Sequence, residues 1–149
     1  MRRPVYLAVL LLFPLMVAAK ANFAVDAEHG DFAKQKHSIE KALASNNDLR
    51  EISAEDRSQV LQGLEKIGAQ LAEAGTLAAL SPDGREQVLA EQEAINLSLE
   101  RAMSDSRQVC TLERAIGSNM SKRKCVTVAA KRRMYEQTQR EHGGSPELK

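Results

Sequence analysis

The sequence contains no tryptophan, and aromatic residues make up only 3% of its 149 residues. General binding of single-stranded nucleic acid relies on aromatic side chains that stack on bases, so we do not expect a nucleic-acid partner. Two cysteines are too few for a disulfide-dense scaffold or for a zinc site built on cysteine. Because His29, His37 and His142 stand in no metal-ligand spacing, we expect neither a metal nor another cofactor.

Long apolar runs are missing outside the first twenty-one residues. Residues 5–19 are uncharged, follow Arg2 and Arg3, and lead into a small-x-small cleavage pattern at residues 19–21. These parts predict a secretory signal peptide over residues 1–21. An uncleaved membrane anchor is the alternative, but a spanning helix needs about 20 apolar residues. We therefore expect a periplasmic or secreted protein that keeps no transmembrane segment after cleavage.

The two signs of charge are separated along the chain. Residues 22–106 hold 8 basic and 16 acidic side chains, whereas residues 107–149 hold 10 basic and 4 acidic ones. The net charge of +1 therefore conceals an acidic body and a basic C-terminal third. Such asymmetry indicates either a partner that meets each half separately or attraction between the two halves of one molecule. The sequence leaves both interpretations open.

An internal duplication predicts a helical body. Residues 49–71 and 77–99 align with a shift of 28 positions and share nine of 23 residues. Each copy starts with a serine suited to a helix N-cap, Ser53 or Ser81, and continues with apolar residues three and four apart. We expect the two copies to form an antiparallel helical hairpin. A shorter apolar stripe over residues 31–45 predicts an N-terminal helix packed across that hairpin.

The two cysteines predict a disulfide-stapled β-hairpin. Cys110 and Cys125 are separated by fourteen residues with Gly117-Ser118 at the midpoint. Glycine at the first central position suits a type II′ turn. Two strands folded about this turn place the cysteines directly opposite each other, within the distance that a disulfide spans. A structural bond is favoured over a redox pair, because redox dithiols usually have Cys-x-x-Cys spacing.

A basic surface is predicted on the hairpin and on a last helix over residues 128–140, for which Thr127 is the N-cap candidate. The expected contact residues are Arg114, Lys122, Arg123, Lys124, Lys131, Arg132 and Arg133. They favour binding of a partner protein or of an anionic envelope component such as lipid or polysaccharide phosphate. A homodimer through the apolar stripe of the helix pair is a further option. No nucleophile with a neighbouring base is indicated, so we expect no enzyme and assign no catalytic residue.

The predicted fold class is mainly α. A small bundle, made of the antiparallel helical hairpin and the short N-terminal helix, precedes the disulfide-stapled β-hairpin and the basic C-terminal helix. Four segments are expected along the chain, namely a signal peptide over 1–21, a flexible N-terminus over 22–30, a single domain over 31–141 and a disordered tail over 142–149.

Several short segments resemble a family of small, uncharacterised proteins exported by Gram-negative bacteria. They are residues 92–96 (QEAIN), 105–110 (DSRQVC), 117–119 (GSN) and 125–129 (CVTVA). The resemblance covers roughly residues 49–133 and rests mainly on a C-terminal Cys…Gly-Ser…Cys-x-Thr hairpin. The family pattern has arginine just after the first cysteine, where this chain has Thr111. The resemblance implies export and this fold, and it implies no activity.

Overall fold

The computed structural model describes residues 23–45, 47–114, 116–117 and 120–142. The predicted signal peptide, Ser118 and the residues after His142 lie outside these ranges. The elements are α1 (Phe32–Ser45), α2 (Ala54–Ala74), a 3₁₀ turn (Leu77–Ala79), α3 (Pro82–Ser106), β1 (Gln108–Arg114), β2 (Ser121–Thr127) and α4 (Val128–His142). The predicted fold class is confirmed. Within the described ranges, no helix is both long and apolar enough to span a membrane.

The duplicated segments form α2 and α3, which pack side by side. Ser53 and Ser81 are the N-caps, and each hydroxyl accepts the N–H three residues later, at 2.9 and 3.2 Å. α2 ends at Gly75, whose φ of 81° and N–H bond to the Leu71 carbonyl close the helix. These caps confirm the starts of both predicted helices.

At Gly63, α2 and α3 approach each other closely. A Cβ atom at this position would lie 2.6 Å from Oε1 of Glu91 and 2.9 Å from Cδ1 of Ile95. The side chains around this contact form an aliphatic core shared by all three helices of the bundle. Its largest fully buried members are Ile39, Leu49, Leu64, Ile67, Leu99, Val25, Val60 and Val88.

The sequence predicted a flexible segment over residues 22–30, and the structure places residues 23–31 in defined contacts with α3. Val25 is only 2% exposed, and its backbone N–H and C=O both bond to the amide of Asn96, at 2.7 and 2.9 Å. Gln92 accepts the N–H of Ala27 at 2.7 Å. Burying an extended backbone is costly unless its polar groups find partners. The two amide side chains on α3 supply those partners, so the segment packs on the core.

The β-hairpin has the predicted register. Cys110 pairs with Cys125 and Glu113 with Lys122, and the disulfide is formed. Gly117 has the positive φ, 84°, that a tight turn asks of glycine. The described residues from Cys110 to Cys125 are all exposed, so the hairpin projects from the body as an arm.

Candidate interaction surface

The base of the arm is held by Glu51, in the loop before α2. Its carboxylate accepts the Thr127 hydroxyl at 2.6 Å and Nη1 of Arg133 at 2.9 Å. Thr127 in turn accepts the N–H of Ala130 at 3.0 Å and so caps α4, as the sequence predicted. The N–H of Glu51 donates to Oγ of Ser106 at 3.0 Å, where α3 ends. One residue therefore joins α3, the hairpin and α4.

The Glu51 carboxylate is held in its ionised form. Hydrogen bonds from Arg133 and then Thr127 lower the pKa of Glu51 below its ordinary value. Glu51 is 15% exposed but its partner Arg133 is 61% exposed, so solvent screens the pair from the arginine side. The charge of Glu51 helps to hold the base of the arm at neutral pH.

Arg132 makes a second contact between α4 and the body. Its guanidinium bonds both carboxylate oxygens of Asp105, at 3.1 and 3.0 Å, in the bidentate geometry that arginine favours. Hydrogen bonds to Asp105 raise the pKa of Arg132. Two of the predicted contact residues, Arg132 and Arg133, thus point at acidic groups of the same molecule.

The remaining predicted contact residues belong to a different environment. Lys124 lies 3.5 Å from Glu113 within the hairpin. Ion pairs are absent in the described part of the chain for Arg114, Lys122, Arg123 and Lys131. The structure therefore separates an ion-paired group at the base of the arm from an uncompensated basic group, most of it on the arm. Arg123 precedes Thr127 by four residues and so lies about 13 Å along β2 from the base of the arm.

Exposed apolar side chains accompany the basic residues of the arm. Leu112 and Met120 are 71% and 76% exposed, and Ile116 is fully exposed. The sequence pattern did not mark them, because none belongs to a run of large apolar residues. The signal was the hairpin itself, since two strands alone offer no core in which such residues can be buried.

α4 extends the exposed surface beyond its first turn. Ala129 is buried, whereas every described side chain from Lys131 to Glu141 is exposed. Met134 and Tyr135 are exposed apolar residues of this helix, at 52% and 66%. The arm and α4 together therefore present exposed apolar and basic side chains on one continuous stretch of the chain.

The described residues of this surface offer charged, apolar and backbone groups. No cluster of three or more His, Cys, Asp or Glu side chains suited to a metal ion occurs in the described ranges. Both cysteines are bonded to each other, and the hydroxyl of Ser106 is engaged by the backbone of Glu51. Charge, exposed apolar groups and open strand edges are what the arm offers to another molecule.

Comparison with known proteins adds no relative. No family model matches the chain, and neither a curated protein nor a solved structure resembles it significantly. The resemblance seen in the sequence therefore stays a prediction.

Proposed function

We propose that the protein is an exported, non-enzymatic interaction protein that binds a partner protein through the hairpin and α4. The observation that carries this proposal is the arm itself, whose described residues between Cys110 and Cys125 are all exposed. An isolated two-stranded hairpin is marginally stable in water. A disulfide closing a loop of this size contributes about 3 kcal/mol in the chain-entropy model. The chain thus stabilises an element that contributes little to its own core.

The composition of the arm supports a protein partner. Binding energy at protein interfaces is concentrated in a few apolar or arginine anchors surrounded by a polar rim. Leu112, Ile116 and Met120 supply apolar anchors, and Arg114 and Arg123 lie uncompensated beside them. An acidic partner surface fits this combination best, because like charges placed together oppose association.

The proposed compartment is the periplasm or the external medium. Disulfides persist mainly in oxidising compartments, and this one is exposed to whatever reductant surrounds it. The predicted signal peptide and the resemblance to exported proteins point to the same destination. Both remain parts of the proposal.

Site-specific photocrosslinking tests the proposed surface. A photoreactive amino acid is placed at Ile116 on the arm or, as a control, at Leu97, which is 56% exposed on α3. We expect a discrete adduct with another protein from Ile116 only. Arg123→Glu should abolish that adduct, whereas Arg101→Glu, on the exposed side of the body, should leave it intact. Identical adducts from both positions, or an adduct indifferent to Arg123→Glu, would contradict the proposal.

An anionic envelope component is the second candidate partner, favoured by the uncompensated basic side chains. Binding through them would weaken steeply as salt screens the charges. The measurement is retention on vesicles containing anionic phospholipid at low and at high salt, with Arg123→Glu as the variant. Retention that is unchanged by salt would rule this candidate out.

A further inference from the structure

The pairing of the hairpin determines which backbone groups of β1 point outward. Cys110 and Cys125 are directly opposite, with Cα atoms 4.0 Å apart. That separation is typical of a non-hydrogen-bonded pair, since hydrogen-bonded pairs are about 5.5 Å apart. At the base, the N–H of Val128 donates to the carbonyl of Arg107 at 2.9 Å, as in a hydrogen-bonded pair. Hydrogen-bonded and non-hydrogen-bonded pairs alternate along the hairpin. The Cys110–Cys125 separation and the Val128–Arg107 bond agree on which pairs are of which kind.

In this alternation, every second residue of β1 has backbone groups that do not bond to β2. The N–H and C=O of Gln108, Cys110, Leu112 and Arg114 all point away from β2. The sheet has two strands only, and within the described ranges no other backbone or side chain bonds to these outward groups. The outer edge of β1 is therefore a ready template for another strand.

The two edges of the hairpin are not equivalent. Residues 122–124 of β2 are Lys-Arg-Lys, and charged side chains of this kind protect an edge strand from unwanted pairing. Residues 109–112 of β1 are Val-Cys-Thr-Leu, with no charge and no proline, and β-branched residues favour strands. β1 thus carries the unprotected edge.

Charge determines which strand fits there. A strand added to β1 would lie about 10 Å from β2, close to one Debye length at physiological salt. The basic run at 122–124 would attract an acidic strand and repel the same hairpin of a second copy. Arg114 and Arg123 share the disulfide face with Leu112, whereas Glu113 lies on the opposite face. Acidic and apolar side chains of the incoming strand are therefore favoured on the disulfide face.

We infer that the outer edge of β1 binds an extended, acidic segment of a partner protein, which adds to the hairpin as a third strand. The inference rests on the proposed function and specifies how its partner is held. Backbone hydrogen bonds to Cys110 and Leu112 give affinity, and side chains next to Leu112, Arg114 and Arg123 give selectivity.

Amide exchange measured by NMR on the exported, disulfide-bonded protein provides the test. The probe is a short synthetic peptide in which glutamate and valine alternate. At a peptide concentration about ten times Kd, the outward amides of Cys110, Leu112 and Arg114 should exchange about tenfold more slowly. The amides of Thr111 and Glu113 already belong to the ladder and should change little. Protection that repeats every second residue on β1 is specific to an added strand.

Three variants separate the backbone edge from its side chains. Leu112→Pro removes an outward N–H without removing a ladder hydrogen bond, because Leu112 belongs to a non-hydrogen-bonded pair. It should abolish peptide binding, with the disulfide and the helix amide shifts retained. Leu112→Ala keeps the N–H and should weaken binding only a few-fold. Ser121→Pro removes an outward N–H from the β2 edge and should leave binding unchanged.

Several results would overturn the inference. Protection at Ser121, Arg123 and Cys125 would assign the strand to the β2 edge. Absence of protection at millimolar peptide, or an equal loss in Leu112→Pro and Leu112→Ala, would mean that no strand adds. Uniform protection of both strands by anionic vesicles would assign the arm to a membrane. A selective crosslink from Ile116 that survives Leu112→Pro would retain the proposed function while rejecting strand addition.

Discussion

Glu51 connects parts of the chain that are distant in sequence. Its backbone N–H and its carboxylate reach Ser106, Thr127 and Arg133, which lie 55, 76 and 82 positions away. No local pattern marks such a residue, because a lone glutamate in a loop is usually a solvated charge. The base of the arm is therefore held by one residue that no local sequence pattern marks.

Replacing Glu51 by glutamine tests that dependence. Glu51→Gln keeps the shape and an acceptor for Thr127 but removes the ion pair with Arg133. Because solvent screens the exposed Arg133, we expect a loss of only about 0.5–1 kcal/mol in the free energy of unfolding at neutral pH, measured by urea denaturation. Since the pKa of Glu51 is lowered in the folded protein, its contribution is complete above the ordinary glutamate pKa of 4.5. It is lost as pH falls further, so wild type and variant should converge in acid.

Glu100→Gln is the matched control for this charge. Glu100 is an exposed residue of α3 with no ion pair in the described part of the chain. It should change the unfolding free energy by no more than a few tenths of a kcal/mol, roughly the range of ordinary surface substitutions. An equal pH dependence in the two variants would assign the effect to net charge instead of the Glu51 contacts.

The elements differ in how readily their sequence reveals them. The repeat with its N-caps and apolar spacing predicted α2 and α3. The position of Gly117-Ser118 midway between the two cysteines predicted the hairpin register. Both signals are local in the sequence. The contacts of the N-terminal segment were not predicted, for the opposite reason. Gln92 and Asn96 occupy the repeat positions of Leu64 and Gly68, and polar residues there resemble a break in the apolar stripe. Only the fold shows that they bond the backbone of Val25 and Ala27.

Two glycines of α2 give opposite predictions for the same substitution. Gly63→Ala gains helix propensity of about 1 kcal/mol but forces a Cβ into Glu91 and Ile95 of α3. Overpacking of this kind costs about 1–3 kcal/mol, so we expect net destabilisation in thermal unfolding. Gly68→Ala meets only Cε1 of Phe32, at 3.4 Å, and should be neutral or stabilising. If Gly63→Ala raised Tm as much as Gly68→Ala, the close approach of the helices would be refuted.

Over the whole molecule, the separation of charge along the chain has two structural outcomes. Arg132 and Arg133 bond to acidic groups of the body, so part of the basic C-terminal third is neutralised within the molecule. The uncompensated basic residues of the arm are the part available to a partner. The sequence identified the basic contact candidates. It could not separate the ion-paired ones from the uncompensated ones, because the contacts of Arg132 and Arg133 span 27 and 82 residues. That division directs attention to Arg114, Arg123 and the β1 edge.

Export is the prediction on which the whole-molecule interpretation depends. The full chain is expressed in a Gram-negative host, and the recovered protein is alkylated with and without prior reduction. We expect an intact mass beginning at Asn22, with alkyl groups taken up only after reduction, because an exposed disulfide persists where thiols are not kept reduced. The chain without residues 1–21, kept in the cytosol, is the control and should be alkylated without reduction. A full-length mass with both Cys110 and Cys125 free would instead place the arm in a reducing compartment, where reduction would remove the bond that staples it.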